Sequence, residues 1–145
     1  MNRVTMLTAI LLASCSHSPP GAGSWKDMNH EQRHEYMEKV VFPKMRAEFV
    51  AFDAKAFGDM KCVTCHGDGA RDHTFKMPNP KLPPLPADET EFKKLQEKHP
   101  EVTAFMREKV APGMASLVGE QPYNPVTREG FSCFRCHPLG KTRLP

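Results

Sequence analysis

The stretch KCVTCHGDGA, residues 61–70, contains two cysteines three positions apart with a histidine directly after the second. The same pattern returns in CFRCH, residues 133–137. We name residues 62–66 the first motif and residues 133–137 the second motif. On one turn of helix, side chains three positions apart face the same way. The two thiols of each motif can therefore bind one common partner, and any fold for the chain has to place both motifs.

The composition describes one small domain with a thin core. Of the 145 residues, 39% are hydrophobic, 26% are charged and 14 are prolines. A chain of this size buries a limited share of its surface when it folds. The formal net charge of +3 is small and spread along the chain, and no basic stripe alternates with aromatic residues. Recognition of a phosphate backbone needs such a stripe, so nucleic acid is not expected as a partner.

The N-terminal segment has the pattern of an export signal. Its apolar run, residues 4–12, is far shorter than the ~20 residues that a membrane-spanning helix needs. The sequence Leu-Ala-Ser-Cys that follows, residues 12–15, resembles the bacterial lipobox. The resemblance implies that Cys15 is lipidated and that residues 1–14 form a lipoprotein signal peptide that is removed. The alternative is an ordinary signal peptide that is cleaved near Ala13 or Ser14, with Cys15 incidental.

The segment after Cys15 is predicted to be a tether. Residues 15–24 contain the run SHSPPGAGS, which is rich in serine, glycine and proline, as flexible linkers are. Cys15 is also the odd one among five cysteines. The predicted location is the bacterial cell envelope, on the periplasmic side, with a lipid anchor. Ser16 after the lipidated cysteine favours the outer membrane.

Helix signals follow the tether. Asn29, with Gln32 three positions on, predicts an N-cap and a helix to about Val41. Pro43 is expected to break or restart this helix. A second helix is then predicted from Pro43 to a stop at Gly58, because four apolar residues fall on one face: Met45, Phe49, Phe52 and Ala56.

The middle of the chain is rich in proline. Residues 67–87 include MPNPKLPPLP and are expected to be extended and without helix. Asp88 is expected to cap a helix that ends near His99. A further helix is predicted over 101–110, ended by Pro112, and 119–130 is expected to be loop.

An internal repeat relates the two halves. The pattern YMxxxVxPxM, residues 36–45, matches FMxxxVxPxM, residues 105–114, at an offset of 69 residues, and the two motifs are offset by 71. We therefore predict a mainly α fold over residues 25–145 with few or no strands. It consists of two pseudo-repeated units, about 29–87 and 88–145, joined by the proline-rich loop.

Three possible roles of the cysteine pairs fit the sequence poorly: a zinc site, a redox thiol pair and structural disulfides. The pairs are 67 residues apart, whereas two halves of a zinc site are usually separated by about 15 to 20. A redox thiol pair is typically found in a βαβ setting, which the pattern does not indicate. A disulfide within either pair would close a very small loop and restrain little of the unfolded chain.

Covalent haem accounts for the histidine as well as for the thiols. Two sulfurs on one helical turn can add to the two vinyl groups of one porphyrin, and the next imidazole can bind the iron. The motifs resemble those of the c-type cytochromes. The resemblance implies two haem c groups, attached through Cys62 and Cys65 and through Cys133 and Cys136. It also implies proximal iron ligands, which are His66 and His137.

A second resemblance covers more of the chain. A methionine-bearing helix that leads into each motif is similar to the haem units of the cytochrome subunit of photosynthetic reaction centres. In that family the preceding methionine supplies the distal ligand, which implies Met45 and Met114 here. The chain departs from the family because it has two units and longer methionine-to-cysteine spacings, 17 and 19 residues.

Other side chains compete for the distal position. Met77 and His73 are alternatives near the first motif. Met37 and Met106 also correspond in the repeat, but each lies about 12 Å along its helix from Met45 or Met114, so one helix cannot offer both methionines to one iron. Any methionine can instead serve as apolar filler. The histidines at 30 and 34 share a face of a polar helix and are expected to be solvated.

These observations favour electron transfer by a membrane-tethered dihaem cytochrome rather than an enzyme. Its expected partners are other cytochromes or membrane electron-transfer complexes, and the membrane itself through the lipid. The alternative is a haem enzyme of the peroxidase type, for which His73 and Glu120 are the candidate acid/base residues. A gas or redox sensor with one open iron and a structural zinc module also remain.

Overall fold

The computed structural model describes residues 24–140, so the predicted signal peptide, Cys15 and most of the tether lie outside it. Within this range the fold is mainly helical, as predicted. No sheet forms among the described residues, which contain three isolated β-bridges. Residues 24–140 contain seven α-helices: α1 (His30–Tyr36), α2 (Phe42–Phe52), α3 (Ala54–Phe57), α4 (Cys62–His66), α5 (Glu89–Lys98), α6 (Pro100–Phe105) and α7 (Ala111–Leu117).

Shorter helical turns join these helices. Three are 3₁₀ turns: Trp25–Asp27, Gly67–Ala70 and Cys133–Arg135. Two are π turns, Met37–Val41 and Met106–Val110. None of the described helices has the length and apolar character needed to cross a membrane.

Two predicted helix starts are confirmed. The Asn29 side chain accepts a hydrogen bond from the Gln32 amide at 2.9 Å, and the Gln32 side chain accepts one from the Asn29 amide at 2.9 Å. The Asp88 side chain accepts from the Glu91 amide at 2.9 Å, and α5 ends before His99. Both caps satisfy amides that the first helical turn leaves without a partner.

The prediction that Pro43 and Pro112 end their helices is wrong. In each case the helix runs on through a π turn just before the proline. The Phe42 amide bonds to the Met37 carbonyl, and the Ala111 amide bonds to the Met106 carbonyl, five residues back. The extra residue in the wider turn displaces the carbonyl that a proline ring would meet in a regular α-helix. Two long helical segments result, over 30–52 and 100–117.

Two smaller corrections concern helix ends. The predicted single helix from Pro43 to Gly58 is divided at Asp53, whose extended backbone ends α2. The Asp53 side chain caps α3 by accepting from the Ala56 amide at 2.9 Å. The proline-rich segment begins with the 3₁₀ turn Gly67–Ala70 and then contains no helix before Glu89.

Most of the hydrophobic core lies in two clusters, and each contains residues of both predicted units; buried Val41 and Met45 lie outside both clusters. The first cluster comprises the buried residues Phe49, Met60 and Phe105 with Phe42, Phe57, Cys65, Met106 and Val110. The second cluster comprises the buried residues Ala115, Val118 and Phe131 with Trp25, Met37, Met114 and Cys136. Phe105, Met106 and Val110 thus share a cluster with Cys65 of the first motif. Trp25 and Met37 share a cluster with Cys136 of the second motif.

The two clusters correspond through the internal repeat. Phe49 is equivalent to Val118 and Met106 to Met37 at the offset of 69, whereas Met60 corresponds to Phe131 and Cys65 to Cys136 at the offset of 71. The two long helical segments also approach closely. A Cβ at Gly113 would lie 3.0 Å from the Met45 methyl group.

Phe105 connects unit two to the aromatic side chains of unit one. Its ring stands edge-on to Phe49 with centroids 5.1 Å apart and stacks on Phe52 at 4.2 Å. Replacing Phe105 with alanine should lower the free energy of unfolding by about 3 kcal/mol, because a cavity opens between the units. Urea unfolding of the purified protein measures the change.

Val126→Ala is the matched control, because the Val126 side chain is 89% exposed and should contribute little. Equal losses in the two variants would contradict the assigned packing of Phe105.

Candidate functional site

Both motifs form helical turns, so the two cysteines of each face the same side. The first motif is α4, and its start is capped by a hydrogen bond from the Lys61 amide to the Thr64 hydroxyl at 3.1 Å. In the second motif the Cys136 and His137 amides donate to the Cys133 carbonyl at 3.2 and 3.0 Å. The local sequence therefore brings each thiol pair together without help from distant residues.

The thiols differ in exposure. Cys62 is exposed, whereas Cys65, Cys133 and Cys136 are half-buried. Burial raises the pKa of Cys65 to about 11, and the neighbouring Cys136 and Cys62 add to the rise. Burial also raises the pKa of Cys136 to about 11. These two thiols are protonated at neutral pH, whereas reactive redox thiols have a lowered pKa. A thioredoxin-like role is therefore poorly matched.

The two motifs lie side by side, held by Asn79. This residue is 2% exposed. Its amide N–H donates to the Cys136 carbonyl at 3.0 Å, and its Nδ2 donates to the Cys65 carbonyl at 2.9 Å. Its Oδ1 accepts from the Lys81 amide at 2.9 Å. One buried residue thus contacts the last cysteine of both motifs, with its side chain on Cys65 and its backbone N–H on Cys136.

The backbone of the first motif is shaped to receive Asn79. Gly67, directly after α4, has a φ of +56°, and a Cβ there would lie 2.7 Å from Asn79 Oδ1. A larger residue would both strain this backbone and displace the amide. Sequence analysis missed Asn79. The available signal was an amide side chain between two prolines, in Met77-Pro78-Asn79-Pro80.

The proline-rich loop continues from Asn79 along the second motif. The Leu85 amide donates to the Pro138 carbonyl at 2.9 Å, and the Gly140 amide donates to the Leu85 carbonyl at 2.8 Å. His137 Nδ1 lies 2.9 Å from the Pro83 carbonyl oxygen. A histidine that donates from Nδ1 to a backbone carbonyl keeps Nε2 available for a metal, which is the usual arrangement for metal-ligating histidines.

His66 of the first motif sits in a different environment. Its Nδ1 is buried and has no hydrogen-bond partner among the described residues. Burial lowers the pKa of His66, and the nearby Phe75 backbone opposes this shift without completing a hydrogen bond to Nδ1. The ring is therefore favoured as neutral imidazole, the form that binds metals. A buried polar atom without a partner is uncommon in a folded protein and points to a role not met by the protein alone.

The predicted distal residues are placed differently. Met45 is 7% exposed with its methyl group against Gly113, and neither cluster contains it. Met114 packs in the second cluster with Cys136. Met77 is half-buried in the loop, and His73 is exposed. The assignments of these four residues as iron ligands stay predictions.

The four histidines of unit one lie around the ring of Phe75. The His34 and His66 ring centroids lie 5.0 and 5.4 Å from that of Phe75. His30 and His73 lie farther away, at 6.3 and 6.2 Å. His30 and His34 are exposed, as predicted, yet α1 brings both toward the first motif. Periodicity within α1 could not have shown this contact with a distant loop.

The donor set fits a covalently attached porphyrin. Each motif presents two thiols on one turn and an imidazole directly after them, and an apolar cluster lies against the second thiol. Between residues 24 and 140, no group of three or more His, Cys, Asp or Glu side chains is arranged to hold a metal ion by itself. Two shallow depressions lie near Pro100 and include no residue of either motif.

Comparison with known proteins adds no relative. No protein-family model, curated protein or solved structure matches the chain.

The contacts of Asn79 give a test of the site's framework. Asn79→Ala should lower the free energy of unfolding by about 1–3 kcal/mol, because the Cys65 carbonyl and the Lys81 amide lose their partner in a buried place. Urea unfolding followed by circular dichroism measures the loss.

Asn124→Ala is the matched control. Asn124 also accepts a local amide hydrogen bond, from Val126 at 2.8 Å, but it is exposed, and within residues 24–140 its side chain bonds only to neighbouring loop amides. If both alanine variants lost the same stability, Asn79 would not have the bridging role assigned to it.

Proposed function

We propose that this chain transfers electrons by means of two haem c groups, one attached to each motif. The observation that carries the proposal is the double occurrence of Cys-x-x-Cys-His, with each thiol pair on a helical turn. The Nδ1 contact of His137 with the Pro83 carbonyl at 2.9 Å supports it. When bound, haem supplies a one-electron Fe(III)/Fe(II) couple.

The cysteines have the role of attachment. In the proposed protein their sulfurs form thioether bonds, which remove the thiols from further redox chemistry. The high pKa values of Cys65 and Cys136, about 11, are in keeping with an environment that disfavours thiolate. Free thiols of this kind would contribute little to a disulfide exchange reaction.

In the proposed carrier, the motif histidines and the apolar clusters set the reduction potentials of the haems. His137 is oriented through Nδ1, and the neutral form of His66 is favoured by burial. The first cluster lies against Cys65 and the second against Cys136. Apolar walls exclude water from a redox site and, together with the hydrogen bonds to the ligands, set its potential.

Asn79 gives the proposed carrier its internal connection. Because Asn79 bonds to both Cys65 and Cys136, the two attachment sites are neighbours and not separate modules. Electrons could then pass between the two sites within one chain. The predicted anchor at Cys15 would hold this chain at the periplasmic face of a membrane, where its partners would be other redox proteins.

A haem enzyme needs an acid/base residue free to act. Glu120 is ion-paired with Arg135 of the second motif at 2.6 Å, and His73 is exposed beside Phe75. Neither placement favours the enzyme over the carrier. A response to carbon monoxide separates the two functions, because a six-coordinate iron does not bind it and an open iron does.

The purified, matured protein should contain two irons per chain and the spectrum of c-type haem, unchanged by carbon monoxide. Replacing both Cys62 and Cys65 with alanine should reduce the content to one haem, because the first motif loses its attachment. The measurements are metal analysis and the reduced visible spectrum.

Cys15→Ser is the matched control, since it removes a cysteine outside both motifs. It should keep two haems, because both attachment motifs are unchanged. Zinc without iron in the purified protein would overturn the proposal, and a spectral shift with carbon monoxide would move the assignment to an enzyme or sensor.

A further inference from the structure

Met37 and Met106 occupy equivalent and unusual positions. Each is the first residue of a π turn. The carbonyl of each accepts the backbone N–H hydrogen bond that closes the turn, from Phe42 and Ala111 respectively. Single π turns inside α-helices occur often at functional sites, because they change the direction of the side chains around them. The two residues are related by the repeat offset of 69.

Each of these methionines packs beside the motif of the other unit. Met106, in unit two, is half-buried in the first cluster with Cys65. Met37, in unit one, is half-buried in the second cluster with Cys136. Each methionine therefore packs against the same apolar cluster as the second cysteine of the other unit's motif.

We propose that the sixth iron ligands are supplied crosswise: Met106 serves the first motif and Met37 serves the second. This inference rests on the proposed function, since it assigns ligands to the two haems. When bound to haem iron, a methionine thioether would favour the ferrous state and give a higher potential than a second imidazole would. Each iron is then held by both units, and neither unit completes a site alone.

The other methionines near the clusters do not form an equivalent pair, with one methionine at each motif. Met114 contacts the second cluster, but its repeat equivalent Met45 lies against Gly113 and belongs to neither cluster. Met60 is buried beside the first motif, but its equivalent Phe131 cannot bind iron. Met37 and Met106 alone among these methionines form a pair in which each member contacts the cluster of one motif.

The experiment uses the full, matured chain with leucine at single positions, since leucine keeps the volume of methionine and removes its sulfur. The test variants are Met37→Leu and Met106→Leu, and the matched controls are Met45→Leu and Met114→Leu. Haem and iron are counted in every protein. The near-infrared methionine-to-iron charge-transfer band of the oxidised protein, the two reduction potentials and carbon monoxide binding are then measured.

Each test variant should retain two haems, lose about half of the charge-transfer band, lower one potential and open one iron to carbon monoxide. The controls should keep the full band. To determine which methionine serves which haem, the same substitutions are made in the Cys62→Ala/Cys65→Ala protein, which keeps only the second haem. There Met37→Leu should abolish the band and Met106→Leu should leave it.

Several results would overturn the crosswise assignment. They are loss of the band in a control variant, the opposite dependence in the single-haem protein, or no such band in the parent protein. If that single-haem protein does not fold, the Cys133→Ala/Cys136→Ala protein, which keeps only the first haem, gives the converse test: there Met106→Leu should abolish the band and Met37→Leu should leave it. A parent protein without two haems contradicts the proposed function, which the haem count reveals separately from the ligand result.

Discussion

The hydrogen bonds of Asn79 set the relative position of the two motifs, and the arrangement of the site depends on them. The motifs are separated by 67 residues, and each forms its helical turn locally. Nothing in either turn directs it toward the other. Asn79 joins them, because its side-chain Nδ2 donates to the Cys65 carbonyl and its backbone N–H donates to the Cys136 carbonyl. The neighbouring Pro83 carbonyl contacts His137 Nδ1. The proline-rich loop thus holds both proposed haem sites together. Its residue Asn79 bonds to both motifs, and its Leu85 amide donates to the Pro138 carbonyl just after the second motif.

The π turns explain how a small chain builds two long helical segments that contain proline. Without the wider turn, Pro43 and Pro112 would end the helices, and the residues on either side could not share one axis. With the wider turn, the helical segment of unit one extends from Met37 in the second cluster to Phe49 in the first. The helical segment of unit two extends from Phe105 in the first cluster to Ala115 in the second. The interlocked core follows from this length. Phe105 reaches Phe49 in unit one, and the Tyr36 hydroxyl donates to the Leu117 carbonyl at 2.8 Å in unit two.

The interlocked clusters also bear on the chemistry. The core contains few fully buried residues, and Cys65 packs against its first cluster and Cys136 against its second. A porphyrin attached there would add apolar surface where the protein has least, and burial of such surface stabilises a fold by about 25 cal/mol per Å². The buried Nδ1 of His66, which has no partner among residues 24–140, belongs to the same region. Attachment and folding would then depend on each other, as in other small proteins built around a prosthetic group.

The sequence by itself determined the features that depend on neighbours along the chain. These include the caps at Asn29 and Asp88, the mainly helical fold and the near absence of strands, because caps and helical periodicity act over three or four residues. It also indicated the repeat and the pairing of thiols on one turn. Tertiary structure alone decided that the prolines are tolerated, because the helix could accommodate an extra residue only within a packed core. Tertiary structure also decided that Asn79 bridges the motifs and that Met37 and Met106 lie beside the opposite unit, since these contacts join residues far apart in sequence and no local pattern encodes them.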